Sequence, residues 1–179
     1  SVAGRGSPAE SVLMNGAPPF PFVGLQLASG STGASRTRFA EPNVRSAQPL
    51  LNKAVELDAN FTAAWALLSR VHSFLYFNGS DATEGRRDAA KEALDKALEQ
   101  NRELAEVMLA DAYYDYWVKR DYEGARQKFD ELIAKWPSNA NVLSALAAIT
   151  RRQGKWDESK TYFERAVAID PLHAGRRLF

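Results

Sequence analysis

The chain contains no cysteine, so disulfides, thiolate metal sites and a cysteine nucleophile are all excluded. It has only two histidines, His72 and His173, and neither lies in a ligand spacing such as HExxH. No apolar run approaches the roughly 20 residues that cross a bilayer, so no membrane-spanning helix is expected. Charge of one sign is lacking as well. The 23 Lys and Arg residues stand against 22 Asp and Glu, a net +1, and no general field draws nucleic acid or anionic lipid. Neither GxSxG nor GxxxxGK[ST] occurs. No catalytic residue, metal ligand or cofactor is therefore expected, and the chain is not read as an enzyme. The N-terminus lacks the basic stretch, apolar core and small-residue cleavage site of a signal peptide, which leaves the compartment open.

What is present falls into two halves. Residues 1–43 hold six of the 11 glycines, five of the eight prolines and no lysine. PPFPF at 18–22 is extended in tendency and ASGSTGAS at 28–35 is flexible, so a largely irregular segment is expected. AESVLM, 9–14, is compatible with a turn or two of helix after Ser7 and Pro8. Phe20, Phe22, Val23, Leu25 and Leu27 are too many apolar residues for a solvated linker, and part of this segment is expected to pack on the folded body.

From Val44 the texture changes to Ala, Leu, Glu, Lys and Arg, with apolar residues spaced by three and four as in amphipathic helices. Breakers at Asp58-Ala-Asn, Asn78-Gly-Ser, Asn101, Arg120-Asp, Pro137-Ser-Asn, Gly154 and Asp170-Pro divide the rest into helices of about 12 to 17 residues joined by tight turns. Asn60 and Asn78 fit the glycosylation acceptor pattern but read as helix-entry or turn residues. Glu and Lys interleaved in KEALDKALE, 91–99, mark a solvated helix face.

One spacing recurs in every second helix: a small residue, a large apolar one four later, Ala or Leu three later, and a terminator five later. The copies are Ala47, Leu51, Ala54, Ala59; Ala90, Leu94, Ala97, Arg102; Ala125, Phe129, Leu132, Pro137; and Ser159, Phe163, Ala166, Pro171. Their starting positions fit a period of about 34 residues, lengthened by nine at the first step and by one at the second. This pattern resembles the tetratricopeptide repeat family, whose unit is a helix, a turn and a helix over about 34 residues. WALLS at 65–69 and VLSALA at 142–147 carry the family's first-helix spacing, and LADAYY at 109–114 departs from it.

The resemblance implies an all-α fold of antiparallel helix-turn-helix repeats stacked as a right-handed superhelix, an α-solenoid. It covers residues 44–173, about three units and a leading helix, with 1–43 outside it and 174–179 beginning a truncated or capping helix. FNGSDATEGRR, 77–87, carries the longer insertion and is expected to lengthen that turn or its flanking helices. YYDYWVKRDYEGA at 113–125 and ITRRQGKWDES at 149–159 also resemble the arrays of bacterial signalling proteins, which implies a module of a larger signalling or regulatory protein.

Trp65, Phe129, Trp136, Tyr162 and Phe163 are expected in the core, and Trp156 at the start of its helix. His72 is read as a packing or surface residue. Among Tyr113, Tyr114, Tyr116 and Trp117, at least one is expected to face solvent or a groove, because a two-layer array cannot cover every side of a helix.

The resemblance implies that first helices line a concave surface where partners bind. Projection then places Arg70 and Ser73 there from one unit, and Tyr113 or Tyr114 with Trp117 from the next. The last unit supplies Asn141, Ser144, Ala148 and Arg151. A second register substitutes Asp111 and Asp115 and reverses the local charge. An aromatic centre flanked by arginines suits a protein or peptide with acidic and apolar side chains; the alternative is that the arginines only solvate the surface. The lysine/asparagine clamp that some members use on C-terminal carboxylates is absent. A non-enzymatic protein-interaction module is thus expected, with self-association into a homo-oligomer as the alternative, and residues 18–27 lying in the protein's own groove as a variant.

Overall fold

In the computed structural model, residues 41–170 are described, and all their regular elements are helical. The helices are α1 (Glu41–Leu57), α2 (Thr62–Phe77), α3 (Glu84–Gln100), α4 (Ala105–Tyr114), α5 (Tyr122–Lys135), α6 (Ala140–Arg152) and α7 (Trp156–Ile169). The expectations for residues 1–40, Pro171, His173 and 174–179 lie outside the described residues. The breakers mark the helix ends as expected. Thr83 caps α3 by accepting from Arg86 N at 3.2 Å, Asp121 caps α5 by accepting from Gly124 N at 2.9 Å, and Asn139 caps α6 through Val142 N at 3.2 Å. Gly79 and Gly154 close turns at φ 81° and 76°, where a side chain would be strained. Pro49 sits inside α1, but on its exposed side, where water can take the carbonyl the proline leaves unbonded.

α2 with α3, α4 with α5, and α6 with α7 form successive antiparallel pairs, preceded by α1 packed on α2. The small residues of the repeat lie at the close approaches. Ala47, Ala90, Ala125 and Ser159 are all buried. Leu94, Phe129, Leu132 and Ala166 are buried beside them, while Leu51, Ala54 and Phe163 are only partly so. In the first pair Ser69 Oγ donates to Ala90 O across 2.9 Å; in the last, Ser159 Oγ donates to Ala147 O across 2.7 Å. Small side chains let the two backbones approach closely enough for a hydroxyl to reach a carbonyl already inside the facing helix.

The insertion of nine lengthens the approach to α3, as residues 78–83 form the turn between α2 and α3. The insertion of one takes a different form. α4 runs directly into a π-helical turn, Asp115–Lys119, which ends at Arg120 in the left-handed region, φ 60°. A π turn holds one residue more than an α turn, so the extra residue is absorbed on the spot.

Beside that turn, none of the four clustered aromatics is left open to solvent. Tyr113, Tyr114, Tyr116 and Trp117 are all buried. Tyr113, Tyr116 and Trp117 join the core shared with Phe74, Phe129 and Leu146, whereas Tyr114 joins a second core with Ala66, Ala90 and Leu94. α4 is therefore enclosed from both sides. Trp156 is a correction, being 66% exposed. It shares a stripe with Ser159 and Phe163, but it is the first residue of α7, where the stripe is not covered.

Candidate functional site

The first helices of the three pairs are α2, α4 and α6, and a chain of contacts crosses them. On α2, the Arg70 guanidinium stands 4.8 Å from the centroid of the Tyr113 ring on α4. Tyr113 stacks on Trp117 with centroids 4.1 Å apart, and its hydroxyl donates to Asn141 O on α6 across 3.3 Å. Phe74 meets Trp117 edge-on at 5.5 Å, and Phe77 packs 5.5 Å from Tyr116. Arg152 then closes the row: its Nη1 donates to Tyr116 Oη across 2.7 Å, with Arg120 over the Phe77 ring at 4.5 Å.

The row has a buried floor and a wetter rim. Arg70, Ser73, Tyr113, Trp117 and Asn141 are buried, whereas Phe77, Ser144, Ala148 and Arg151 keep partial access to solvent. Ser73 Oγ is buried and has no hydrogen-bond partner among the described residues. Burial pulls the Arg70 pKa down to about 10, against the opposing fields of Tyr113 and Glu106, and the group stays charged at neutral pH. Burial likewise raises the Glu106 carboxyl, with Arg70 acting against the rise. Tyr116 is pushed up to about 12 by burial, so its hydroxyl is a stable partner for Arg152.

Two alternatives in register are separated by these contacts. Tyr113, not Tyr114, lies with Trp117 beside Arg70; Tyr114 turns toward α3 and carries Lys119 5.6 Å above its ring. Asp111 and Asp115 turn toward α5, where Lys128 Nζ lies 2.8 Å and 2.5 Å from their carboxylates. Lys128 keeps a raised pKa: burial pulls it down, and the hydrogen bonds to Asp111 and Asp115 outweigh that pull. Phe74, Phe77 and Tyr116 were not singled out for this row by the sequence projection. The signal was available for two of them, since Phe74 and Phe77 follow Arg70 by four and seven residues on one helix face.

His72 is a buried packing residue: its Nδ1 lies 2.7 Å from Arg86 Nη1, and Arg86 pairs with Asp81 at 2.6 Å. No group of three or more His, Asp or Glu side chains is arranged to hold a metal among the described residues. No helix among them is long and apolar enough to cross a membrane.

Paired antiparallel helices, small residues at each crossing and a row of side chains shared by the first helices define an α-solenoid of the tetratricopeptide type. The family model described as the TT21 fifth ARM repeats domain matches residues 103–174. The chain is 32% identical over 117 residues to tetratricopeptide repeat protein 21A of Mus musculus, a match that takes in 64% of this chain. It is 34% identical over 80 residues to the Homo sapiens protein of that name, covering 43% of this chain. It spans only 8% and 6% of the lengths of these two relatives. Over the 117 matched residues the chain is homologous to tetratricopeptide repeat protein 21A. Among solved structures, a thermophilic TPR protein of Thermus thermophilus superposes with a TM-score of 0.59 at 20% identity, covering 76% of this chain and 71% of its own. The pilF protein of Pseudomonas aeruginosa gives 0.52 at 24%, covering 83% and 60%. These two share the fold. Because the curated sequence relatives are from mouse, human and Xenopus laevis, the resemblance to bacterial signalling arrays is not supported.

Proposed function

We propose that this chain is a protein-interaction module that binds an extended peptide along the inner face of α2, α4 and α6, as part of a longer protein. The observation that carries the reading is the row formed by Arg70, Tyr113 and Asn141, which ties three successive first helices into one rigid surface. Rigid aromatics lose little entropy on binding, and Arg151 and Arg152 at the end of α6 favour acidic side chains on the peptide. Tyr114, on the opposite side of α4, takes no part in it.

The floor is too buried for informative truncation, so the test uses the rim. Ser144→Glu with Arg151→Glu reverses its charge at partly exposed positions. Wild type and variant would be passed over immobilised short peptides of matched length and apolar content, one set acidic and one basic, with circular dichroism as the control for folding. Retention of the acidic set by the wild type and its loss in the variant is expected. Equal retention of both sets would exclude the reading.

Self-association is the second reading. Its support is Leu50 and Leu57, 56% and 76% exposed and seven residues apart on one face of α1. Sedimentation that does not vary with protein concentration would exclude it.

A further inference from the structure

We propose that Arg120 and Arg152 form a site for a phosphorylated side chain of the bound peptide. The site rests on the groove reading above and names the chemistry that one end of its rim takes. The turn after each first helix holds one residue in the left-handed region. After α2 and α6 it is a glycine, Gly79 at φ 81° and Gly154 at φ 76°, which has no side chain to strain. After α4 it is Arg120, at φ 60°. Arg120 stands one repeat period, about 34 residues, before Gly154. Among the described residues no other non-glycine residue has a positive φ. Glycine would close the turn with less strain, so the turn alone does not require an arginine.

The side chain is exposed, and its guanidinium stands 4.5 Å from the ring centroid of Phe77, the half-buried last residue of α2. Arg152, exposed at the end of α6, stands 5.5 Å from the same centroid. The two guanidinium carbons therefore lie within about 10 Å of each other, a screening length in roughly 0.1 M salt. Tyr116 orients Arg152, its Oη accepting from Nη1 across 2.7 Å. Neither arginine pairs with a carboxylate among the described residues. Three acids at the starts of α5 and α7 are engaged elsewhere: Asp121 accepts from Gly124 N, Glu123 from Gln153, and Glu158 pairs with Arg126. Cations near helix C-termini complement the dipole, but Lys119 and Arg151 already stand there.

Two exposed positive groups on neighbouring turns match a doubly charged anion. A phosphate ester carries close to two negative charges and three strong acceptor oxygens, and planar guanidinium forks bind it with paired hydrogen bonds. A carboxylate has one charge and is matched by a single fork. Arg120 and Arg152 lie at the end of the row that carries Phe77 and Tyr116, so a peptide lying along the first helices passes beside them.

The probes are three immobilised libraries of short peptides with randomised flanks and a fixed central phosphoserine, glutamate or serine, over which the full chain is passed. Wild type is expected to be retained by the phosphoserine set about tenfold or more above the other two. Arg120→Gly keeps the left-handed backbone, so it should melt no lower than wild type by circular dichroism while losing that preference. Arg152→Gln should lose it as well. Equal retention on the phosphoserine and glutamate sets, or retention on none, overturns the proposal, as does a preference that survives Arg120→Gly. Capture by vesicles of a phosphorylated inositol lipid, with no retention on phosphoserine peptides, would assign the arginines to a lipid surface and overturn it too. The two readings fail separately: acidic-peptide retention lost in the rim variant, with no phosphoserine preference, rejects the phosphate site and leaves the groove. A phosphoserine preference that Arg120→Gly removes, with equal retention of the acidic and basic sets, does the reverse.

Discussion

The hydroxyl of Ser159 on α7 reaches the carbonyl oxygen of Ala147 on α6 across 2.7 Å, and the first pair makes the same bond with donor and acceptor helices exchanged. The repeat therefore requires a small side chain on each helix at the crossing, and either one can supply the hydroxyl. Ser159→Ala keeps the volume and loses one hydrogen bond, so a loss of about 0.5–1.5 kcal/mol is expected in urea denaturation. Ser159→Leu forces the helices apart and should lose about 1–3 kcal/mol or more. A smaller loss for leucine than for alanine would refute the close-approach account.

His72 makes stability depend on pH. Its folded pKa lies at about 4, lowered by burial first and by Arg86 next, with Asp81 acting the other way. The unfolded side chain takes up its proton near pH 6.5, so the unfolded state binds more protons between those values. Stability from this group is complete above about pH 6.5 and falls progressively toward pH 4, by about 3 kcal/mol at most. His72→Gln should flatten the melting-temperature profile in that window. An unchanged slope in the variant would remove His72 as its source.

Lys128 bridges α5 to the carboxylates of Asp111 and Asp115, of which Asp115 is buried. Lys128→Met leaves Asp115 with Lys119 alone, at 2.7 Å, in a setting short of water. A loss of about 2–4 kcal/mol is expected, because a buried charge deprived of a partner is costly. Lys91→Met breaks an exposed pair with Asp95 on α3 and should stay within about 0.5 kcal/mol. Comparable losses from the two variants, by chemical denaturation, would show that burial does not set the difference.

Two aromatic residues give the widest contrast. Phe129, with no exposed surface, is predicted to lose about 3–5 kcal/mol as alanine, whereas Trp156→Ser, at an exposed site, should move stability by no more than about 0.5 kcal/mol. Thermal denaturation of both variants checks the ranking.

The repeat was legible because its signal is side-chain size at fixed spacing, and Ala90, Ala125 and Ser159 state it directly. Turn positions were equally legible, since Gly79, Gly154, Asp121 and Asn139 do their work locally. The orientation of residues 113–117 was not. Helical projection assumes about 3.6 residues per turn, and the π turn breaks that assumption just where the aromatics crowd together. The facing of Asp111 and Asp115 was hidden for another reason. Their partner Lys128 stands on a different helix, beyond the π turn and the loop that follows it, where no periodicity links the three. Trp156 had the right stripe but the wrong depth along it.

The π turn at Asp115–Lys119 acts as a buffer for length. An added residue spread along α4 would rotate everything after it by about 100° and put the wrong faces of α5 to α7 against their neighbours. Taken up in a single wide turn, it sets Ala125 one residue later than the ordinary period, and the step from there to Ser159 is the ordinary one again. The array can thus tolerate a change of count within one unit while the order of its neighbours is preserved.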